Sequence, residues 1–352
     1  MPVPEAEFDR YFRSEFVTAK DRKNLPGRLD LDKLDPEFAS VLTGVQHHIN
    51  QMFARQSDRI HTANGSVELH LDYIAPPERP ERNANAVAFN YNGFFFVGLT
   101  LDLVERMFGI CSVLSRSSAS GDLLALTLDT KEKRDLFLAC LFMVQVQFVI
   151  DHELGHHVHG HTPTRRSSNF FSEFSEQERK AGIDSLKKQA REVEADGYAV
   201  HMMAMGLFTD EAGPGLVRTL APHGIEDDRF LTLFLLLSIG SFMFLGLQHG
   251  FDPSKVREET HPFGLMRMNV VMVDFDGWAR EHQPAILPYL TQDHFTRIMW
   301  TIAAAQPDSL AVQEWHRQGE FLRNGDGGYR EDLYAARELL RQEMAERSWS
   351  VG

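Results

Sequence analysis

His152-Glu153-Leu154-Gly155-His156 is the stretch whose residue types and spacing can do chemistry. On a helix, positions i and i+4 lie one turn apart on one face, so both imidazoles can reach a single ion. Glu153 is rotated from His152 by roughly 100°, out of the ligand direction but within reach of a water on the metal. A carboxylate so placed can take a proton from a metal-activated water and later pass it to a leaving amine. The expectation is one Zn2+ per chain, with His152 and His156 as ligands and Glu153 as general base.

A catalytic zinc usually has three protein ligands and one open position, so a third donor is required. Arg191-Glu192-Val193-Glu194-Ala195-Asp196 offers it, following His156 in the sequence. Glu192 and Asp196 are one helical turn apart and share a face with Ala199 and Met203, an unusual setting for two carboxylates. Glu192 is assigned to the metal, and Asp196 to the outer position where it accepts the far N–H of a ligand histidine. The alternative is that 192–196 forms a solvated charged turn; Glu194 points elsewhere and is the weaker ligand candidate. His157, His159 and His161 lack the phase to replace His152 or His156 and are read as caps of the helix end. His261 lies at a helix entrance after a loop. It is read as a stabiliser of a tetrahedral oxyanion or as an occupant of the open metal position at rest, with a structural histidine as the alternative.

These residues need elements to position them. Lys131 begins a helix, capped by Asp129 or Thr130, that is apolar on almost every face before Asp151 and stops at Gly160 and Pro163. Such a helix belongs in the middle of a domain, where three ionisable side chains are costly unless paired or bound to metal. His161–Phe174 reads as a polar loop, and Ser175 with Glu178 as a capping box opening a helix towards Gly206. Upstream, residues 36–61 have helical spacing, and Ser66–Ile74 alternates as a half-buried strand does. Ala86–Asn90 and Phe94–Val97 flank Tyr91-Asn92-Gly93, a hairpin signal. Together the strands predict a small antiparallel sheet. Leu99–Ile110 resumes helical spacing, Thr260-His261-Pro262 reads as a helix start, and residues 283–352 read as further helices ending in an amphipathic stretch over Tyr329–Arg347.

HELGHH followed by EVEAD and then THPFGLMRM resembles the gluzincin peptidases related to the CAAX prenyl endopeptidases and the heat-shock membrane proteases, and is also similar to the phage-exclusion peptidases. The likeness extends over roughly residues 85–270 and rests on short motifs. It implies a zincin-like metallopeptidase core. It also implies that Arg267, six residues after His261, belongs to the outer shell of the site. Asn85-Ala86-Val87-Ala88 with Phe96-Val97-Gly98-Leu99 is similar to the hairpin of that family, which offers an edge strand to an extended peptide. The resemblance thus implies substrate contacts at Ala88, Phe94, Phe95 and Phe96, with strand addition as the mode of peptide recognition. The membrane relatives carry several clear spans, whereas this chain has one doubtful one.

The whole chain sets outer limits. Its 352 residues, 43% of them hydrophobic, suffice for a large core. A formal net charge of −14 argues against nucleic acid or an anionic membrane as main partner. Two isolated cysteines, Cys111 and Cys140, and an N-terminus without a basic start and apolar run favour a cytoplasmic setting. Phe230–Leu247 carries no charge; it is read as a buried core helix, with a membrane anchor as the alternative.

The fold expected is α+β and mainly helical, with a small antiparallel sheet beside a buried HExxH helix. Three segments are anticipated: an N-terminal helical arm (1–60), a metallopeptidase core (61–282) and a C-terminal helical region packed on it (283–352). The expected function is zinc-dependent endopeptidase activity on an intracellular protein or peptide, in a setting such as stress or phage defence. The competing readings are a non-catalytic zinc-stabilised binding module and a membrane-associated quality-control protease. Substrate identity and oligomeric state are not legible.

Overall fold

Asn92 and Gly93 both take positive φ, 50° and 91°, as the central pair of a tight hairpin turn must when it matches the twist of its strands. The turn joins strands β4 (Ala86–Tyr91) and β5 (Phe94–Thr100), paired antiparallel from Ala86 with Leu99 to Tyr91 with Phe94. A third strand, β3 (Glu68–Ile74), lies on the other side of β5 and runs parallel to it, Glu68 opposite Phe94 and Ile74 opposite Thr100. The sheet is therefore mixed, in the order β3-β5-β4, and not antiparallel throughout. The reason is non-local: the second arm of the hairpin inserts between β4 and β3, which local spacing does not reveal.

In this computed structural model the described residues are 3–14, 26–56, 60–62, 65–76, 85–161, 182–209, 227–246, 251–259, 261–306, 310–344 and 350–351. Pro163, the Ser175–Glu178 capping box, Leu247, Thr260 and residues 345–347 lie outside them. The chain forms two compact units, one of residues 1–105, 153–184 and 338–352, the other of 106–152 and 185–337. These units interleave along the chain.

The first unit is built on the sheet. Helix α1 (Pro4–Arg13) sets Phe8, Tyr11 and Phe12 against Phe89, Phe94 and Phe96 in one buried cluster. Tyr11 stacks on Phe89 with ring centroids 4.1 Å apart. The N-terminal segment is thus an integral layer of this unit. Helix α2 (Pro36–Gln56) packs on β3, and there Asn50 and Gln46 bond the backbone of Leu71. Two short strands, β1 (Ile60–Thr62) and β2 (Gly65–Ser66), pair antiparallel, and β1 also pairs with β6 (Ser350–Val351).

The second unit is helical. Helices α3 (Leu101–Arg116) and α4 (Ser118–Leu124) precede α5 (Lys131–Val158), whose residues as far as His152 belong to this unit and whose last turns, from Glu153, belong to the first. After α6 (Gly182–Phe208) comes α7 (Asp227–Gly246), where Leu231 and Leu233–Leu237 are all buried. Helices α8 (Gly264–His282), α9 (Gln292–Ala305) and α10 (Leu310–Arg323) pack against α7. Gln145 of α5 donates to Ser241 Oγ at 2.6 Å, which pairs two polar side chains inside this apolar layer. Both α5 and α7 are long and apolar enough to cross a membrane, yet 67% and 78% of their most apolar windows are buried within the fold. Helix α8 begins after Phe263, whose ψ of 153° is extended; Pro262 therefore precedes the helix and is not in its first turn. Helix α11 (Tyr329–Met344) closes the helical series.

Candidate metal centre

Helix α5 is one continuous element through Val158, and it presents His152 and His156 one turn apart near its end. His152 is buried. Its Nδ1 lies 2.9 Å from Oδ1 of Asp196, and its Nε2 lies 3.4 Å from Oε2 of Glu192. The first distance is a hydrogen bond; the second is longer than a good one. Two donors bound to zinc at ~2.1 Å in tetrahedral geometry are separated by about 3.4 Å, and His152 Nε2 and Glu192 Oε2 have that spacing. Ligand atoms of His152, His156 and Glu192 all lie within 4.8 Å of one another.

Helix α6 supplies both carboxylates from the face expected. Asp196 is fully buried and accepts two bonds from Arg267 of α8, Nε to Oδ2 at 2.8 Å and Nη2 to Oδ1 at 2.7 Å. Burial alone would oppose ionisation of Asp196; the Arg267 guanidinium, with help from His152, holds its pKa below the ordinary value. His152 is subject to the opposite balance. Burial disfavours its imidazolium, but Asp196 and Glu192 outweigh that and raise its pKa to about 10. The pocket formed by two carboxylates and two imidazoles thus favours a cation, which a proton or a metal ion can supply. The donor set of nitrogen and carboxylate oxygen suits zinc.

His261 Nε2 lies 3.6 Å from Glu192 Oε2, and the side chain is 40% exposed. The structure therefore brings His261 to the same carboxylate as His152, on the solvent side. Glu153 is buried and directly follows His152 on α5. His152, Glu192, Asp196, Arg267 and His261 form one connected chain of contacts. His156 joins them through α5.

The residues expected to meet substrate lie on β4 and β5. Ala88, Phe94 and Phe96 are buried; the rings of Phe94 and Phe96 belong to the aromatic cluster beneath α1. Phe95 is half-buried and meets His157 edge-on at 5.3 Å. What β4 offers is its position at the sheet edge.

Several roles were not legible from the motifs. His157 is not an exposed helix cap. It is fully buried, bonds the Phe96 carbonyl through Nε2 at 3.0 Å, and is pushed down to about 4 by burial, so it stays neutral and ties α5 to β5. His161 folds back so that its Nδ1 lies 3.1 Å from Nδ1 of His156. Gln189, one turn before Glu192, donates to the carbonyls of Val256 and Glu259, both at 2.8 Å, and accepts from the Tyr329 hydroxyl at 2.5 Å. It thereby anchors the loop that leads to His261. Glu194, the carboxylate between the two site residues, takes Arg337 Nε at 2.5 Å, and Arg337 also reaches Asp274. The only sequence signal for these was phase: Gln189 shares the helix face of Glu192 and Asp196, and Glu194 does not. Compared with protein-family models, curated proteins and solved structures, the chain finds no match.

Proposed function

We propose that this chain is a zinc-dependent endopeptidase, with His152, His156 and Glu192 as the metal ligands. The observation that carries the reading is His152 held between Asp196 at Nδ1 and Glu192 at Nε2, with Asp196 fixed by Arg267. Three protein donors with the half-exposed His261 beside them suit a catalytic centre, which keeps an open position, better than a closed structural site. A bound zinc ion would supply Lewis acidity, polarising the scissile carbonyl and making water acidic enough to attack near neutral pH.

The chain's own groups supply the rest. Glu153 takes the proton of the attacking water on its carboxylate and hands it to the leaving amine. His261 donates through Nε2 to the oxygen that gains negative charge, and Gln189 holds its loop in place. Asp196 fixes the tautomer of His152 and keeps its Nε2 directed at the ion. β4, at the sheet edge, can bind an extended peptide by backbone pairing. An acidic surface makes a strongly acidic substrate unfavourable. The burial of α7 among α8, α9 and α10 favours a core role over a membrane anchor, in keeping with an intracellular protein substrate.

The test compares native protein with Glu153→Gln. Both should carry zinc, and only the native chain should cleave a mixed library of peptides. Equal cleavage by the two would remove Glu153 from the reaction.

A further inference from the structure

Helix α5 ends at Val158, and the chain then reverses through Gly160 at φ 69°, a left-handed conformation suited to glycine. The closing bonds run from Gly160 N to His157 O at 3.0 Å and from His161 N to His156 O at 2.8 Å. This is the Schellman arrangement, in which the residue after the left-handed position is brought back over the helix's last turn, where an apolar contact is usual. Here the two residues that meet are both histidines, and they meet through polar atoms: His156 Nδ1 and His161 Nδ1 are 3.1 Å apart. One of these nitrogens must carry the proton and the other a lone pair.

We infer that His161 is the positioning residue of His156, the neutral counterpart of what Asp196 does for His152. This rests on the metal reading of the site given above. If His156 offers the lone pair of Nε2 to the ion, its proton resides on Nδ1 and is donated to Nδ1 of His161, which keeps its own proton on Nε2. The helix-stop signal at Gly160 therefore does more than end α5. It returns a hydrogen-bond acceptor to a ligand and fixes both its tautomer and its ring orientation. The two ligand imidazoles are oriented by unlike partners: a carboxylate neutralised by Arg267, and an uncharged imidazole. An uncharged partner orients His156 without a third negative group beside Glu192 and Asp196.

The experiment uses the full chain, stripped of metal and titrated with Zn2+ against a competing chelator, with Co2+ absorption as a second readout. His161→Leu removes the acceptor. His161→Asn keeps an acceptor oxygen near the same position. The expected result is a loss of zinc affinity of roughly 10- to 100-fold in H161L, with a changed Co2+ spectrum and with H161N close to native in both. Melting of the metal-free proteins separates this from a role in the turn alone: if both variants melt lower to the same extent while zinc affinity and Co2+ spectrum stay native, the inference is overturned. Should H161L fail to fold, His161→Ala carries the same comparison. Native protein that binds no zinc would overturn the site reading and this inference together. Native and H161L binding zinc equally tightly would overturn this inference alone.

Discussion

Arg267 grips both oxygens of Asp196, and the oxygen it holds at 2.7 Å is the same one that lies 2.9 Å from Nδ1 of His152. One carboxylate thus links a guanidinium on α8 to the His152 imidazole on α5. Removing the carboxylate's charge leaves Arg267 without its counter-ion and His152 with only a neutral amide oxygen as acceptor. Asp196→Asn should therefore weaken zinc binding by about 10- to 100-fold, read by chelator competition. Arg267→Met should also weaken it, since the buried Asp196 would lose its guanidinium and keep only His152 as a partner. Native affinity in both variants would show that the network serves only packing.

His261 lies near Glu192 yet is partly open to solvent, which suits a group that acts on substrate. His261→Ala should keep zinc and lower kcat by about 100- to 1000-fold, with little change in KM. Unaltered turnover would return His261 to a structural role. Loss of zinc instead would make it a ligand.

The pKa balance at His152 predicts a pH dependence of metal binding. Its pKa is raised to about 10, so in the metal-free protein it carries a proton throughout the neutral range. A metal ion must displace that proton. Zinc affinity should accordingly rise with pH by about tenfold per unit between neutrality and pH 10, then level off. The metal-free fold has the opposite dependence: stabilisation from the His152 ion pairs is complete below the ordinary histidine pKa and is lost as pH rises through about 10. Zinc affinity flat over that range would contradict the assignment of His152.

Glu194, Arg337 and Asp274 form an ionic cluster on the second unit, with Glu194 and Arg337 buried and Asp274 half-buried. Arg337→Met would leave two carboxylates without their cation and should cost about 3–5 kcal/mol, measured by denaturant unfolding. Gly197 belongs to the same cluster, because a β-carbon there would come within 2.5 Å of Arg337 Nη2; Gly197→Ala should be destabilising as well. Retention of zinc by the folded fraction of either variant would show that this cluster holds α11 in place without serving the metal.

What sequence could disclose follows from how local each relationship is. His152 and His156 are fixed by helical period, and Glu192 and Asp196 by the same rule, so their meeting could be anticipated from phase and chemical need. The hairpin at Asn92-Gly93 was legible because the turn residues themselves dictate it. The parallel pairing of β3 with β5 was not, since nothing local distinguishes it from a meander. The role of His157 is hidden in the sequence for a related reason: its partner, the Phe96 carbonyl, is 61 residues away, and a backbone acceptor leaves no mark in a side-chain pattern. Beyond phase, Gln189 and Arg337 leave no sequence signal because they reach contacts made by distant loops and helices, which only the folded chain brings near.

The most direct test is the metal content of the purified full chain, measured by mass spectrometry beside Glu192→Ala and His156→Ala. One zinc per native chain, with both variants depleted, is the result expected from donors gathered within 4.8 Å of one another. A native chain without zinc, or a Glu192→Ala chain that keeps its full complement, would contradict the site at its centre.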